Sequence, residues 1–249
     1  MKVFSYPKAL NELKFHYCPG CTHGIAHRIL AEVLEEMDLL DRAIGVGSVG
    51  CSAYIYEHYN FDFIQAAHGR ASSVATGIKR VYPDRIVFAY QGDGDMAGLG
   101  LGEAIHTAGR GERITVIFIN NAVYGMTGGQ MAPTTLISQK TSTTPRGRDP
   151  ESAGYPLKLL DMMAVLEGCV FAARASLTSP KNVLKAKEYL RQAFQYQLEN
   201  KGYSIVEFLS ACPTNWGLEP VKALKYIDEV MSKYYPPGII KTVSPLQRL

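Results

Sequence analysis

The strongest constraint on how this chain can fold is a set of short, unbroken apolar runs recurring between helix-like stretches. Arg85 to Tyr90, Arg113 to Ile119, Cys169 to Ala175 and Ser204 to Leu209 are rich in Val, Ile, Phe and Ala, with no polar residue at every second position. A strand with one wet face alternates, whereas a strand covered on both faces does not, so these runs predict buried strands of a parallel sheet. Arg42 to Val49 reads as a further short strand, and Phe61 to Ala67 as the apolar run that follows it. Thr22 can cap a helix whose Leu30, Val33, Leu34 and Met37 recur at three-and-four spacing until near Asp38. Ala71 to Lys79, Leu99 to Gly109, Leu157 to Leu166 and Pro180 to Asn200 also read as helices. Strands alternating with helices give the expected class, α/β, with a doubly wound, mostly parallel sheet covered on both faces. Tyr124 to Glu151 breaks the pattern; it is rich in Gly, Thr, Ser and Pro and is expected to be a long ordered loop, which inside a compact domain usually carries function.

With 249 residues, 47% of them hydrophobic, 20% charged and a net charge of +3, the chain is neither disordered nor a basic nucleic-acid tail. A single α/β domain over residues 1–249 is expected, with a Cys-rich N-terminal segment (1–22) and a C-terminal helix and extended tail (219–249). The start has no signal-peptide core and no stretch approaches a membrane span, so a cytoplasmic protein without nucleic-acid or membrane partners is expected. In a reducing compartment the five cysteines are better read for metal or redox chemistry than as disulfides.

In doubly wound sheets ligands sit beyond the carboxyl ends of the strands. Cys51, His68-Gly69-Arg70, Asp93, Asn120-Asn121 and Cys212 each follow an apolar run and should share that edge, whereas Cys169 begins its run and should lie on the opposite one. Gly92-Asp93-Gly94 with Asn120-Asn121 offers a carboxylate, a carboxamide and backbone carbonyls around tight turns, a hard oxygen set suited to Mg²⁺ bridging to a diphosphate. Cys18-Pro19-Gly20-Cys21 together with Cys51 and Cys212 offers four thiolates, which suit a 4Fe–4S cluster or a structural Zn²⁺ alike. Arg70 suits phosphate and carboxylate equally, so a structural ion pair is the alternative for it. His23 and His27, one helical turn apart, read as sharing a buried face rather than as metal ligands. Tyr17, Tyr54, Tyr56, Tyr59 and Phe61 read as a shield or an interface around the cysteines, and Met162 and Met163 as core.

The stretches Cys18-Pro19-Gly20-Cys21, Gly50-Cys51-Ser52, His68-Gly69-Arg70, Gly92-Asp93-Gly94-Asp95, Asn120 to Gln130 and Cys212-Pro213-Thr214 together resemble the β subunit of the 2-oxoacid:ferredoxin oxidoreductases, over roughly Tyr17 to Trp216. The resemblance implies a thiamin diphosphate-binding fold in which Asp93, Asn121 and the Val123 carbonyl hold Mg²⁺. It implies one 4Fe–4S cluster on Cys18, Cys21, Cys51 and Cys212, beside the thiamin ring. It further implies catalytic roles for His68 and Arg70, and cofactor contacts from Gly50, Cys51, Ser52, Gly69, Gly92, Gly94, Asp95, Tyr124, Gly125, Met126 and Thr127. The implied activity takes a 2-oxoacid and coenzyme A to an acyl-CoA, CO₂ and reduced ferredoxin. A partner α subunit supplies the carboxylate that activates thiamin, and a ferredoxin or ferredoxin-like subunit receives the electrons, in an assembly of two αβ units. Ser52-Ala53-Tyr54-Ile55-Tyr56 lacks a cation for a second carboxylate, which favours a branched-chain acid such as 2-oxoisovalerate over 2-oxoglutarate. Two rival readings are a non-redox thiamin carboligase or decarboxylase subunit, and an electron-transfer subunit without catalysis.

Overall fold

The protein's structure, a computed structural model, describes residues 5–243; residues 1–4 of the expected N-terminal segment and 244–249 of the expected tail lie outside the described residues. Seven strands form one sheet: β1 (Ala43–Gly47), β2 (Asp62–Gln65), β3 (Ile86–Gly92), β4 (Thr115–Asn120), β5 (Cys169–Ser176), β6 (Tyr203–Leu209) and β7 (Gly238–Thr242). Their order is β2-β1-β3-β4-β6-β5-β7, with every pairing parallel except that of β7 on β5. The expected doubly wound parallel sheet is therefore present, and part of the expected tail adds to it an antiparallel edge strand.

Eight helices are used below: α1 (His23–Glu36), α2 (Ala71–Val81), α3 (Leu101–Gly109), α4 (Pro150–Ala153), α5 (Leu159–Ala164), α6 (Pro180–Leu198), α7 (Pro213–Trp216) and α8 (Pro220–Tyr226). Each central strand sends alternate side chains to opposite layers. Phe88, Tyr90, Ile117, Phe171 and Phe208 pack with Leu30, Leu34, Leu190 and Phe194 of α1 and α6. Val87, Ala89, Val116, Phe118 and Ile205 pack with Ala75, Ala104 and Leu160 of α2, α3 and α5. Both faces are dry, which is why these strands show no polar alternation. Each large side chain buried this way contributes roughly 1.5–3 kcal/mol.

β1 leads outward to β2, whereas β3 leads the other way to α3 and β4. The crevice beyond the carboxyl ends of adjacent β1 and β3 is thus a topological switch point, the place such sheets reserve for ligands. Cys169, at the start of β5, is buried at the opposite end, its thiol donating to the Phe171 carbonyl at 3.6 Å. Met163 is core as expected, while Met162 is half-buried.

The long segment after β4 is ordered by one buried cation. Arg148 donates to the carbonyls of Ala132, Pro133, Thr135, Ala153, Gly154 and Tyr155, knotting both ends of the loop onto its guanidinium. Among the described residues, no helix is long and apolar enough to cross a membrane.

Candidate functional site

After β3 the chain enters a π-helical turn, Gly94–Leu99, before α3 begins. Glycine permits this: a Cβ on Gly94 would stand 2.2 Å from the Tyr124 ring, and one on Gly98 2.4 Å from its hydroxyl. Tyr124 therefore lies on a bed of two glycines, and the loop after β4 closes over the turn after β3. Asp93, at the head of that turn, accepts from the Gly94 N–H at 2.8 Å and from the Thr134 hydroxyl at 2.5 Å. Burial pushes its carboxyl up to about 7, an effect that these donors partly offset and that a bound cation would reverse. Asp95 behaves differently, because its oxygens are already occupied. One accepts from Ser48, the His68 ring and the Gly69 N–H, the other from Gln91 at 2.6 Å. It clamps the segments after β1, β2 and β3 together and orients His68.

The turn after β4 presents the second oxygen set. Asn120 donates to the fully buried Glu207 at 2.7 Å and accepts from the N–H of Ala122, which adopts φ +59°. Its neighbour Asn121 accepts from the Val123 N–H with its side chain, while its own carbonyl accepts from the Trp216 indole at 3.1 Å. Glu207 in turn is paired at 2.7 Å with Arg174, which also holds Asp161. Asp93, Asn121 and Val123 all line one cavity of about 100 Å³, and their carboxylate, carboxamide and carbonyl oxygens form a hard set suited to Mg²⁺.

That cavity is also lined by Gly50, Cys51, Ser52, His68, Gly92, Gly94, Asp95, Tyr124, Gly125, Met126 and Thr127, each anticipated from the sequence. Gly69 and Arg70 are not among its lining residues. The Arg70 guanidinium pairs instead with Glu103 on α3, the structural alternative that its chemistry allowed.

A second cavity, about 210 Å³, adjoins the first, and Cys18, Cys21, Cys51 and Cys212 all line it. A Cβ placed on Gly125 would be 3.1 Å from the Cys51 sulfur and 3.7 Å from that of Cys212, so both thiols flank this loop. All four are free thiols. Burial, with neighbouring thiols adding, pushes Cys21 and Cys51 up to about 12 and raises Cys212 as well. Among the described residues, no group of three or more His, Cys, Asp or Glu side chains closes round a point to hold a single ion. The two cavities share Cys51, His23, Asn121, Gly125 and Met126 as a common wall.

Residues 45–208 match the family described as the thiamine pyrophosphate enzyme, C-terminal TPP-binding domain. The 2-oxoglutarate synthase subunit KorB of Archaeoglobus fulgidus is 32% identical over 213 residues, which cover 86% of this chain and 75% of that one. This chain belongs to the thiamin pyrophosphate-binding subunits of the 2-oxoacid:ferredoxin oxidoreductases. The ketoisovalerate oxidoreductase subunit VorA of Methanothermobacter thermautotrophicus is 46% identical over 221 residues, 89% of this chain but 46% of VorA. The chain thus spans about half the length of that relative. The solved 2-oxoglutarate:ferredoxin oxidoreductase from Magnetococcus marinus, with 2-oxoglutarate, coenzyme A and succinyl-CoA bound, matches 98% of this chain and 87% of its own at TM-score 0.81 and 25% identity.

Four cavity-lining residues of this chain, His16, His23, Val49 and Asn215, had no signal in the motifs. His23 was read only as sharing a face with His27, yet it lines both cavities. Its ring stacks on Tyr17 at 4.5 Å, bonds the Tyr90 hydroxyl at 2.8 Å, and is held neutral by burial, with its pKa lowered to about 3. Val49 lines the first cavity and Asn215 the second. Tyr59 lies buried and Tyr17 half-buried beside α1, while Tyr54 and Tyr56 are exposed.

Proposed function

We propose that this chain is the catalytic, thiamin diphosphate-binding subunit of a CoA-acylating 2-oxoacid:ferredoxin oxidoreductase, working only in a heteromer with an α subunit and passing electrons to ferredoxin or a ferredoxin-like subunit. The observation that carries this reading is the shared wall: an oxygen-lined cavity and a four-thiol cavity meet at Cys51, His23 and Gly125. In this reading Asp93, Asn121 and the Val123 carbonyl hold Mg²⁺, which secures the diphosphate. Cys18, Cys21, Cys51 and Cys212 hold a 4Fe–4S cluster, a reading supported by all four lining the second cavity, since four thiolates are the ligand set such a cluster takes. When bound, thiamin diphosphate supplies the electron sink for decarboxylating a 2-oxoacid, and the cluster a one-electron acceptor.

The chain's own residues supply placement. Asp95 accepts a hydrogen bond from the Nδ1–H of His68, which leaves Nε2 available to the cavity as a hydrogen-bond or proton partner for substrate. Neutral His23 forms part of the wall the cavities share, and the Tyr17 ring stacked on it holds it there from the second cavity. The Arg70 guanidinium, paired through one nitrogen with Glu103, lies outside the cavity lining, so its catalytic role requires substrate or the partner chain to draw it in. The cavity lining carries no Lys or Arg that would pair with a second carboxylate, which supports a branched-chain substrate of the 2-oxoisovalerate type. The higher identity to a ketoisovalerate oxidoreductase subunit than to a 2-oxoglutarate synthase subunit supports the same choice.

The test is a panel of 2-oxoacids with coenzyme A and ferredoxin, using the complete oxidoreductase purified without oxygen. Preference for 2-oxoisovalerate is expected, and preference for 2-oxoglutarate would overturn the substrate assignment. Turnover by this chain alone at the rate of the complex would overturn the requirement for a partner.

A further inference from the structure

We propose that Asn215 is a positioning residue that sets how readily the cysteine-held cluster accepts an electron, an inference that rests on the cluster assignment above. Asn215 stands on α7, three residues beyond Cys212, and is half-buried. Its side-chain nitrogen donates to the Cys212 sulfur at 3.2 Å and to the Gly125 carbonyl at 2.8 Å. The carbonyl can only accept, so the amide has one orientation, with both of its hydrogens committed and its oxygen turned towards Gly129. Gly129 leaves the room for this: a Cβ there would fall 2.8 Å from that of Asn215. Among the described residues, no other side chain donates to any of the four cavity sulfurs.

Reduction adds negative charge that spreads onto the ligating sulfurs. An N–H dipole aimed at one of them stabilises the reduced form more than the oxidised form, and so raises the potential. Since the carboxamide carries no charge and does not titrate, it exerts this effect at every pH at which the protein is folded. The same nitrogen holds the carbonyl of Gly125, which lines both cavities, so the thiamin-side loop and the cluster-side sulfur share one donor.

The experiment compares the complete oxidoreductase with its Asn215→Leu and Asn215→Asp variants, measuring iron content and the cluster midpoint by a redox titration followed by electron paramagnetic resonance. Full iron content is expected in all three, with the midpoint shifted to more negative values in the leucine variant and further still in the aspartate variant. An unchanged midpoint in the leucine variant overturns the proposal. The aspartate, with the same shape as asparagine, carries the test if leucine cannot be seated, and an unchanged midpoint there does the same. Iron lost from both folded variants would make Asn215 an assembly residue and would equally overturn it. Absence of a cluster from the unsubstituted enzyme would instead overturn the cysteine assignment itself.

Discussion

Two acidic residues two positions apart have different work, and the difference lies in what already occupies their oxygens. Asp93 is met by the Thr134 hydroxyl and by backbone N–H groups, Gly94 among them, none of them charged, which leaves its buried carboxylate short of charge compensation. Asp95 accepts from four groups and has little left for a cofactor. Both were legible as site residues, because both stand where an apolar run ends. Their division of labour was not legible, since it depends on Ser48, Gln91 and Thr134 arriving from other parts of the chain. Asn215 and His23 were illegible for a similar reason: three residues after one cysteine and two after another is no motif, and their partners are Gly125 and Tyr90. Asp95→Asn keeps the shape but turns an N–H towards a donor that Asp95 now accepts. It is expected to cost about 1–3 kcal/mol in thermal or denaturant unfolding and to weaken thiamin diphosphate binding through the released His68. The chain's single tryptophan, Trp216, bonds the Asn121 carbonyl and offers a fluorescence readout of that binding. Unaltered stability and affinity in the variant would contradict the clamp.

The central strands were legible element by element, because burial on both faces writes itself as an unbroken apolar run. The elements that the pattern missed owe their form to tertiary partners. β7 forms because the unsatisfied edge of β5 accepts it, and the Gly94–Leu99 π-helix because Tyr124 needs the space of two glycines. The long loop was recognised as ordered, yet nothing local marked Arg148 as the residue that orders it. Arg148→Ala would leave a ring of buried carbonyls without a donor and is expected to cost about 3 kcal/mol or more. Hydrogen exchange should then rise first in residues 132–155, and uniform protection there would refute the role. α1 carries a pH-dependent cost of its own. Burial holds the pKa of His27 well below its ordinary value, with the neighbouring His23, His58 and His16 adding to this. The unfolded chain takes up a proton near pH 6.5 while the folded chain does not, so stability should fall as pH drops below about 6.5. His27→Leu should flatten that slope in urea titrations between pH 6.5 and 5, and an unchanged slope would exclude His27 as its source.

For the whole molecule, the fold and the family were legible because strand ends, glycine turns and cysteines converge on one edge of one sheet. Exposed Val49, Tyr54, Tyr56, Leu99 and Met126 belong to or flank the segments that build the first cavity, and under the proposed function this apolar rim is where the α subunit would dock. The account rests above all on two adjoining cavities, one for thiamin diphosphate with its cation and one for an electron acceptor held by Cys18, Cys21, Cys51 and Cys212. Its most direct test is the content of iron, zinc and acid-labile sulfide per chain in protein prepared without oxygen. About four irons and four sulfides per chain are predicted for a cluster on four cysteines. Zinc in their place, or no metal at all, would contradict the electron-transfer half of the account and leave a thiamin-binding subunit without an acceptor.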